Sequence, residues 1–536
     1  MANDLYLFGC RTPGPDEASS ETVGNKAANL IRMAAVGLPV PPGFVLPTNL
    51  CRAFLENHNR LPTGTPELIR LGVRELEQAT GNSFGGDRRP LLVSVRSGAA
   101  ISMPGMLDTV LNVGLCDRTV PSLVRSTGNP RHAWDSYRRL VQSYAEVVRG
   151  ASAEPFDRVL DEHLRNESVP SVTELDVAAL KSVTAAFLDL YAATTSSPFP
   201  QDPTEQLTGA IEAVFRSWRS PRAVEYRRLN KLDDSAGTAV TVQAMVFGNM
   251  GGTSGSGVGF TRNPATGENE LYLDFLWNAQ GEDVVSGRCV VWGTVGLREA
   301  NRKLFDQLRE AANRLEALFH DTQDFEFTVQ EGQLYLLQTR NAKRTPLAAL
   351  KIACAMVKEG LIDESTALKR LAAHDLTAIA TDRVVASPDA REVGRGRPAS
   401  TGVAVGEAVF DPRRAAEMAA TGRSVILIRA DISTDDIAGL AAASGILTAR
   451  GGRTSHAAVV ARQLNKVCVV GCRELRIDTN YRSCHIGDAF IAEGDTISLD
   501  GHTGQVFAGT LEVMRETPAA ELGEVARWKA ALVAGR

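Results

Sequence analysis

At 536 residues, with 44% hydrophobic and 23% charged side chains, the chain has the balance of an ordinary globular protein and the length for about three or four domains. A net charge of −5 argues against a general nucleic-acid binder, which carries a basic stripe, but not against a nucleotide ligand, which needs only a few local cations. The eight cysteines are widely spaced and read as reduced thiols rather than a disulfide framework. No run approaches the length of about 18 apolar residues needed for a membrane span. The opening MANDLYLFGC lacks the basic and apolar regions of a signal peptide, so a cytoplasmic protein without a membrane partner is expected.

Residues 1–110 mix helix and strand signals. Asn25 to Val36 has helical periodicity, with Ala28, Ile31 and Ala35 on one face; Gly37 ends it and PVPPGF continues as an extended segment. LLVSV, within Pro90–Arg96, predicts a short buried strand running into a glycine-bearing loop. Residues 117–235 read as a mainly helical subdomain. Strand signals return over 238–345 in TAVTVQAMVFG, ELYLDFLW, FEFTV and QLYLLQTR. Residues 346–395, helical and then polar around Pro388, read as a connector. From 396 to 510, VAVGEAVF, SVILIRA, GILTA, VCVVG and DTISLD predict the strands of a compact last domain, and 511–536 a helical tail. The fold class is α/β, in an α+β multidomain chain without internal repeats. Cys468, Cys472, Cys484 and His485 fit no common zinc spacing, and Val467 to Val470 reads as a buried strand, so these thiols belong to a core.

The richest glycine stretch is VFGNMGGTSGSGVGFTRNP, Val246 to Pro264. Gly248, Gly251, Gly252, Gly255 and Gly257 are expected to leave backbone amides uncovered, and Thr253, Ser254 and Ser256 to add hydroxyl donors, in a loop that cradles polyphosphate. Lys26, in VGNKAANL, and Arg96, in VSVRSGA, sit beside small residues where a ligand could approach and are the candidate cations. In DFEFTVQEGQLYLLQTR, Phe325, Phe327 and Val329 alternate with Asp324, Glu326 and Thr328. A two-residue turn at Glu331–Gly332 would set Glu326 opposite Leu337. A three-residue loop, Glu331 to Gln333, sets Glu326 opposite Gln338 and Asp324 opposite Arg340, grouping polar with polar, and is the register expected. Two carboxylates on one strand face suit Mg²⁺ that bridges phosphates; the competing reading is a solvent-facing strand side.

In RGGRTSHAAVVAR, Arg450 to Arg462, Gly451 and Gly452 permit a sharp turn and Thr454 or Ser455 can cap the following helix. Ala457, Val460, Ala461 and Leu464 form its apolar face. His456 then lies in the first turn, where the positive helix end disfavours imidazolium and leaves the ring neutral and nucleophilic, while free N–H groups suit a phosphoryl group bonded to it.

Together these pieces resemble the pyruvate, phosphate dikinases, within the wider group of phosphohistidine dikinases. The resemblance lies in NKAANL…GLPVPPGF, LLVSVRSGAAISMPGMLDTVLNVGL, VQAMVFGNMGGTSGSGVGFTRNP with NAQGEDVV, FEFTV…LLQTRNAKRT, and GILTARGGRTSHAAVVAR closing with EGDTISLDG, and so covers nearly the whole chain. It implies an ATP-grasp nucleotide-binding domain over 1–345, a helical connector and hinge over 346–395, a swivelling phosphohistidine domain over 396–510, and a tail over 511–536. Lys26, Arg96, Gln338 and Arg340, with the loop residues Gly251, Gly252, Thr253, Ser254 and Gly255, match the family's ATP site, and Asp324 and Glu326 its Mg²⁺ ligands. His456 matches the residue that takes a pyrophosphoryl group from ATP. One phosphoryl then passes to inorganic phosphate, so that AMP and pyrophosphate leave and phosphohistidine remains. Thr454 matches a position that a regulatory protein phosphorylates in some members.

The family continues into a C-terminal barrel of about 250 residues or more, which binds pyruvate and phosphoenolpyruvate; after residue 510 this sequence has 26 residues. The expected function is therefore a phosphotransferase with paired acceptors, of the EC 2.7.9 type, that phosphorylates His456 and hands the phosphoryl to pyruvate on a separate barrel protein or to another acceptor. Arg453 stands beside the nucleophile where many members carry another residue. The alternative is a self-contained dikinase that phosphorylates a small molecule, giving AMP and phosphate; the short connector leaves little room for its acceptor domain. A non-catalytic regulatory homologue is the third reading, and intact Lys26, Asp324, Glu326 and His456 argue against it.

Overall fold

The computed structural model describes residues 5–10, 18–101, 103, 106–285, 292–385, 390–432, 436–452, 455–478 and 482–534. The chain forms two compact bodies, Met1–Ser254 with Val329–Thr339, and Gly255–Thr328 with Arg340–Arg536. The division falls inside the stretch 1–345.

The first body holds an antiparallel sheet in the order Tyr6–Phe8, Gly43–Leu46, Ala239–Ala244, Val93–Gly98, Thr109–Val113. Alternation sends Phe44, Leu46, Val93, Val95, Val240 and Val242 into the main core, while Ser94, Arg96, Thr241 and Gln243 share the other face. Helices cover the core face. Pro130–Arg149 begins at the Asn129 cap, whose side chain accepts from the His132 amide, and Val177–Thr195 begins at the Asp176 cap, which accepts from Ala179. By length and composition Val177–Thr195 is apolar enough to cross a membrane, but its Leu180, Val183, Phe187 and Tyr191 are buried in the same core as Tyr137, Leu140 and Tyr144 of the Pro130–Arg149 helix. That helix also buries Asp135, which accepts from Arg138 at 2.8 Å and Arg139 at 3.0 Å. Burial would raise this carboxyl, but Arg139 and Arg138 outweigh it and hold it well below the usual range.

In the second body, a sheet runs in the order Trp292–Gly293, Tyr272–Trp277, Gly255–Phe260, Gln323–Gln330, Gln333–Asn341; Val329–Thr339, around the hairpin's turn, counts with the first body. An eight-stranded sheet follows. Its strands Val403–Val409, Val425–Arg429, Gly445–Thr448 and Val467–Val470 are parallel neighbours in chain order. The helix His456–Gln463 is the crossover between the last two. Cys468, Cys472 and Cys484 are buried in the apolar cores of this domain, and the His485 ring lies against Phe490.

The connector and the tail, read separately from sequence, form one support. Pro346–Lys358 and Glu364–Leu371 pack on Ala519–Ala534 around Leu350, Cys354, Leu371, Val525 and Trp528. Beside them Thr381–Val385 pairs antiparallel with Glu512–Glu516, Val385 opposite Glu512.

Candidate active site

Lys26 is the second residue of the helix Asn25–Ala35. Gly24, its N-cap, has φ 77°, and a Cβ there would lie 2.2 Å from the Gly98 carbonyl oxygen, so only glycine lets the helix start abut the end of Arg96's strand. The Asn25 amide donates to Ala99 O at 3.0 Å. Lys26 and Arg96, both half-buried, thus flank one junction. On the same helix Asn29 donates Nδ2 to Thr339 O at 2.9 Å, tying it to the strand that carries Gln338.

The glycine stretch divides in two. Gly251 (φ 131°) and Gly252 lie in a loop where an added Cβ would meet nothing within 4 Å, and Thr253 is exposed. Ser254 is buried; its hydroxyl accepts the Glu331 amide at 2.9 Å, and Thr253 O accepts the Gly332 amide at 3.0 Å. Ser254 therefore anchors the loop to the hairpin turn instead of standing open as a donor. Gly255 and Gly257 correct the expectation of uncovered amides: both belong to the strand Gly255–Phe260, paired with Trp277 and Phe275. Their missing side chains make room for rings, since a Cβ would lie 2.2 Å from Phe275 Cζ at Gly255 and 2.4 Å from Phe327 Cζ at Gly257. Beneath the loop the buried His132 ring meets Phe247 edge-on at 4.6 Å, and burial pushes this imidazole down to about 4.

The carboxylate hairpin corrects the expected register at its tip. Strands stop at Gln330 and resume at Gln333, leaving Glu331 (φ 50°) and Gly332 (φ 80°) as a two-residue turn of the primed type. At the base, however, the Ala342 amide donates to Thr322 O, a pairing one residue out of step with the tip. One extra residue therefore lies on the second strand, and it restores the Asp324–Arg340 pair: Arg340 Nε donates to Asp324 Oδ2 at 2.8 Å. The polar strand face is not turned to solvent. Asp324 and Thr328 are buried, and Glu326 and Gln338 are half-buried. Burial raises the Asp324 carboxyl, Arg340 opposes the shift and Glu326 adds to it. At Arg340 burial acts downward, but Asp324 and Glu326 outweigh it and hold the guanidinium above its usual range.

Two residues missed in the sequence complete this face. Ser256 shares a hydroxyl hydrogen bond with Thr328 at 3.1 Å, which puts it on the carboxylate side. Val258, two residues on, pairs with Asp274, so Asp274 is a third acid on that side and, with Asp324, one of two that are buried. A lone acid in the apolar run YLDFLW was the available signal. The other is Arg462, 1% exposed, in the last turn of the histidine helix.

That helix starts at the Ser455 cap, whose hydroxyl accepts the Ala458 amide at 3.5 Å. Gly451 (φ 106°) keeps clear of the same hydroxyl, from which a Cβ would be 3.1 Å. His456 is the first helical residue, at the carboxyl end of the parallel strands, where loops gather in open α/β sheets. Ala457, Ala458, Val460 and Ala461 are buried; Leu464, expected on that face, is the C-cap and 36% exposed. Arg453, Thr454 and the His456 side chain lie outside the described residues.

Among the described residues no three His, Cys, Asp or Glu side chains gather as a metal cage. Asp324 and Glu326 nevertheless fit Mg²⁺, which takes one or two carboxylates and completes its shell with phosphate oxygens and water.

A family model described as pyruvate phosphate dikinase, AMP/ATP-binding domain, matches residues 59–291 and 297–361, more than half of the chain. The chain belongs to the pyruvate, phosphate dikinase family. A second model, PEP-utilising enzyme, mobile domain, matches 422–504 and contains the histidine helix. The pyruvate, phosphate dikinase of Rhizobium meliloti (strain 1021) is 43% identical over 98% of this chain and 60% of its own length. That of Clostridium symbiosum is 43% identical over 94% and 58%, and the chloroplastic pyruvate, phosphate dikinase 1 of Arabidopsis thaliana 45% identical over 94% and 52%. The chain thus spans between half and two thirds of the length of these relatives.

Proposed function

We propose that residues 1–536 carry the nucleotide half of a pyruvate, phosphate dikinase reaction, with 1–345 as the ATP-grasp domain, 346–395 as connector and 396–510 as the domain that carries the phosphoryl group. A His456 ring nitrogen attacks the β-phosphorus of ATP; the bond to the bridging oxygen breaks, its electron pair leaves with AMP, and the ring holds a pyrophosphoryl group. An oxygen of inorganic phosphate then attacks the γ-phosphorus, pyrophosphate departs, and the β-phosphoryl stays on the ring. The observation that carries this reading is the buried polar strand face, where Asp324 is paired with Arg340 beside Glu326. Two carboxylates on one strand face, one of them buried, repel each other, and a divalent cation between them relieves that repulsion.

In this reading Lys26, Arg96 and Arg340 attract and orient phosphate oxygens, and the amides of Gly251 to Thr253 donate to them. Asp324 and Glu326 would hold Mg²⁺, which supplies charge neutralisation to the phosphates. A helix start favours an anion, and so would favour the phosphoryl group once it is on the His456 ring. A phosphate on Thr454 would place a dianion beside that ring and repel the incoming nucleotide.

The relatives' name points to pyruvate as the last acceptor, held by residues outside 1–536, whether on a longer chain or on a separate barrel protein. The test is incubation with ATP labelled on the β-phosphate, Mg²⁺ and phosphate. Acid-labile label on the wild-type protein and none on His456→Ala is the expected result. An unlabelled wild type refutes the reading, and AMP release driven by a small molecule alone would favour a self-contained kinase.

A further inference from the structure

Within the second body the nucleotide sheet and the mobile domain meet along a seam. Tyr272 donates its hydroxyl to Pro398 O at 3.0 Å, and Thr401 donates to Ala265 O at 3.4 Å. The third contact is Arg462. Its guanidinium carbon lies 5.2 Å from the centre of the Phe260 ring, on the sheet, and its Nη1 donates to Ala399 O at 2.9 Å, on the mobile domain.

A guanidinium is a costly thing to bury in a seam. Burial lowers the Arg462 pKa, while Tyr272, Asp324, Cys468 and Asp274 act to keep its charge. If the helix end had only to close a crossover, an aliphatic side chain would do so without that cost, as Val460 and Ala461 do just before it. What the arginine adds is direction. Its charge favours the one sheet face that carries Asp324 and Asp274, and its flat fork lies on an aromatic ring.

We propose that Arg462 is a positioning residue for the histidine. It latches the C-terminal end of the His456–Gln463 helix onto the acid-bearing sheet and so sets how often His456 is presented to the nucleotide. The proposal rests on the phosphotransfer reading above. His456 and Arg462 are six residues apart, roughly 9 Å along the helix axis at ~1.5 Å per residue, and a short helix transmits the clamp from one end to the other as a rigid rod. The ring contact on Phe260 can break whenever the domain leaves, as a packed apolar interface could not, while the hydrogen bond to Ala399 O, inside the mobile domain, keeps the guanidinium aimed at the seam.

The full chain is compared with R462M and R462K in three measurements: the initial rate of acid-labile labelling from ATP labelled on the β-phosphate, ATP affinity by calorimetry, and amide hydrogen exchange resolved by peptide. R462M is expected to label about tenfold slower or worse, the loss of one desolvated cation–aromatic contact, with ATP affinity unchanged. Amides of Tyr272–Trp277 and Arg397–Ser400 should exchange faster in R462M, while those of Val425–Arg429 and Val467–Val470, inside the mobile domain, keep wild-type protection. R462K retains the charge without the planar fork and should recover part of the rate. Labelling of R462M at the wild-type rate overturns the proposal. So does protection lost equally at the seam and in the domain's interior, or an R462K no faster than R462M. An unlabelled wild type would instead overturn the phosphotransfer reading, and the exchange pattern would still decide the latch.

Discussion

Gly257→Ala tests the division of the glycine stretch into packing glycines and loop glycines. The new methyl would sit 2.4 Å from Phe327 Cζ and 2.8 Å from the Asp274 carbonyl oxygen. The Phe327 ring is hemmed in, since it stacks on Phe275 with centroids 5.8 Å apart and an interplanar angle of 2°, and Phe275 meets Trp277 edge-on at 4.7 Å. Overpacking here belongs at the top of the usual range, about 3 kcal/mol. For a body of a few hundred residues this lowers the melting temperature by about 6 °C. Because Phe327 shares a strand with Asp324 and Glu326, metal-dependent turnover should fall as well. Gly252→Ala is the control: a methyl there meets nothing within 4 Å, so its stability should stay within about 0.5 kcal/mol of wild type, while its KM for ATP rises. Differential scanning calorimetry of the full chain, paired with ATP-dependent AMP release, reads both. A Gly257→Ala protein that melts with the wild type, or a Gly252→Ala protein that melts lower than Gly257→Ala, would refute the division.

His456→Ala should abolish AMP formation yet leave ATP binding intact by calorimetry; loss of binding would mean a structural role for the ring. Glu326→Ala should raise the Mg²⁺ concentration needed for half-maximal labelling, and an unchanged Mg²⁺ dependence contradicts its assignment. Asp135→Asn removes the shared partner of Arg138 and Arg139 and should cost about 3–5 kcal/mol at neutral pH. Since the native carboxyl is held low, wild type has this stabilisation above the ordinary aspartate range, and the gap should close as pH falls below about 4. His132 acts in the same sense at higher pH: its folded value is about 4 against an ordinary 6.5, so the unfolded chain takes up the proton first and wild type loses stability as pH falls from 6.5 towards 4. His132→Phe should therefore gain about 2 kcal/mol on wild type between pH 7.5 and pH 5, measured by urea unfolding at both.

Local signals were legible in the sequence, and non-local ones were not. The span of Asn25–Ala35, the cap at Ser455 and the strands of the mobile domain stand in the structure within a residue or two of where hydrophobic pattern and turn chemistry put them, although that first helix buries Ala27, Leu30 and Met33 along with Ala28, and not Ile31 and Ala35, which were expected on the same face. The pairing of Asp324 with Arg340 was reached by assuming the wrong turn. Polar matching fixed the base of the hairpin, but no sequence signal marked the extra residue on the second strand. Gly255 and Gly257 were misread because a glycine that clears a phenyl ring looks the same in sequence as one that bares an amide. Arg462 reads as a cation suited to a helix C-terminus, and only the fold brings Phe260, some two hundred residues earlier, against it. The union of connector and tail was hidden for the same reason: Val385 and Glu512 meet across an entire intervening domain.

That last pairing makes the mobile domain a cassette. The chain enters it from Val385 and comes back at Glu512, and these two residues are neighbours across a two-stranded ribbon, about 4.8 Å apart. A bridge of two or three residues could join the ribbon's strands and leave the supporting helices whole. Conversely, the excised piece would have its two ends side by side, ready to be grafted into any scaffold that offers an equally narrow doorway.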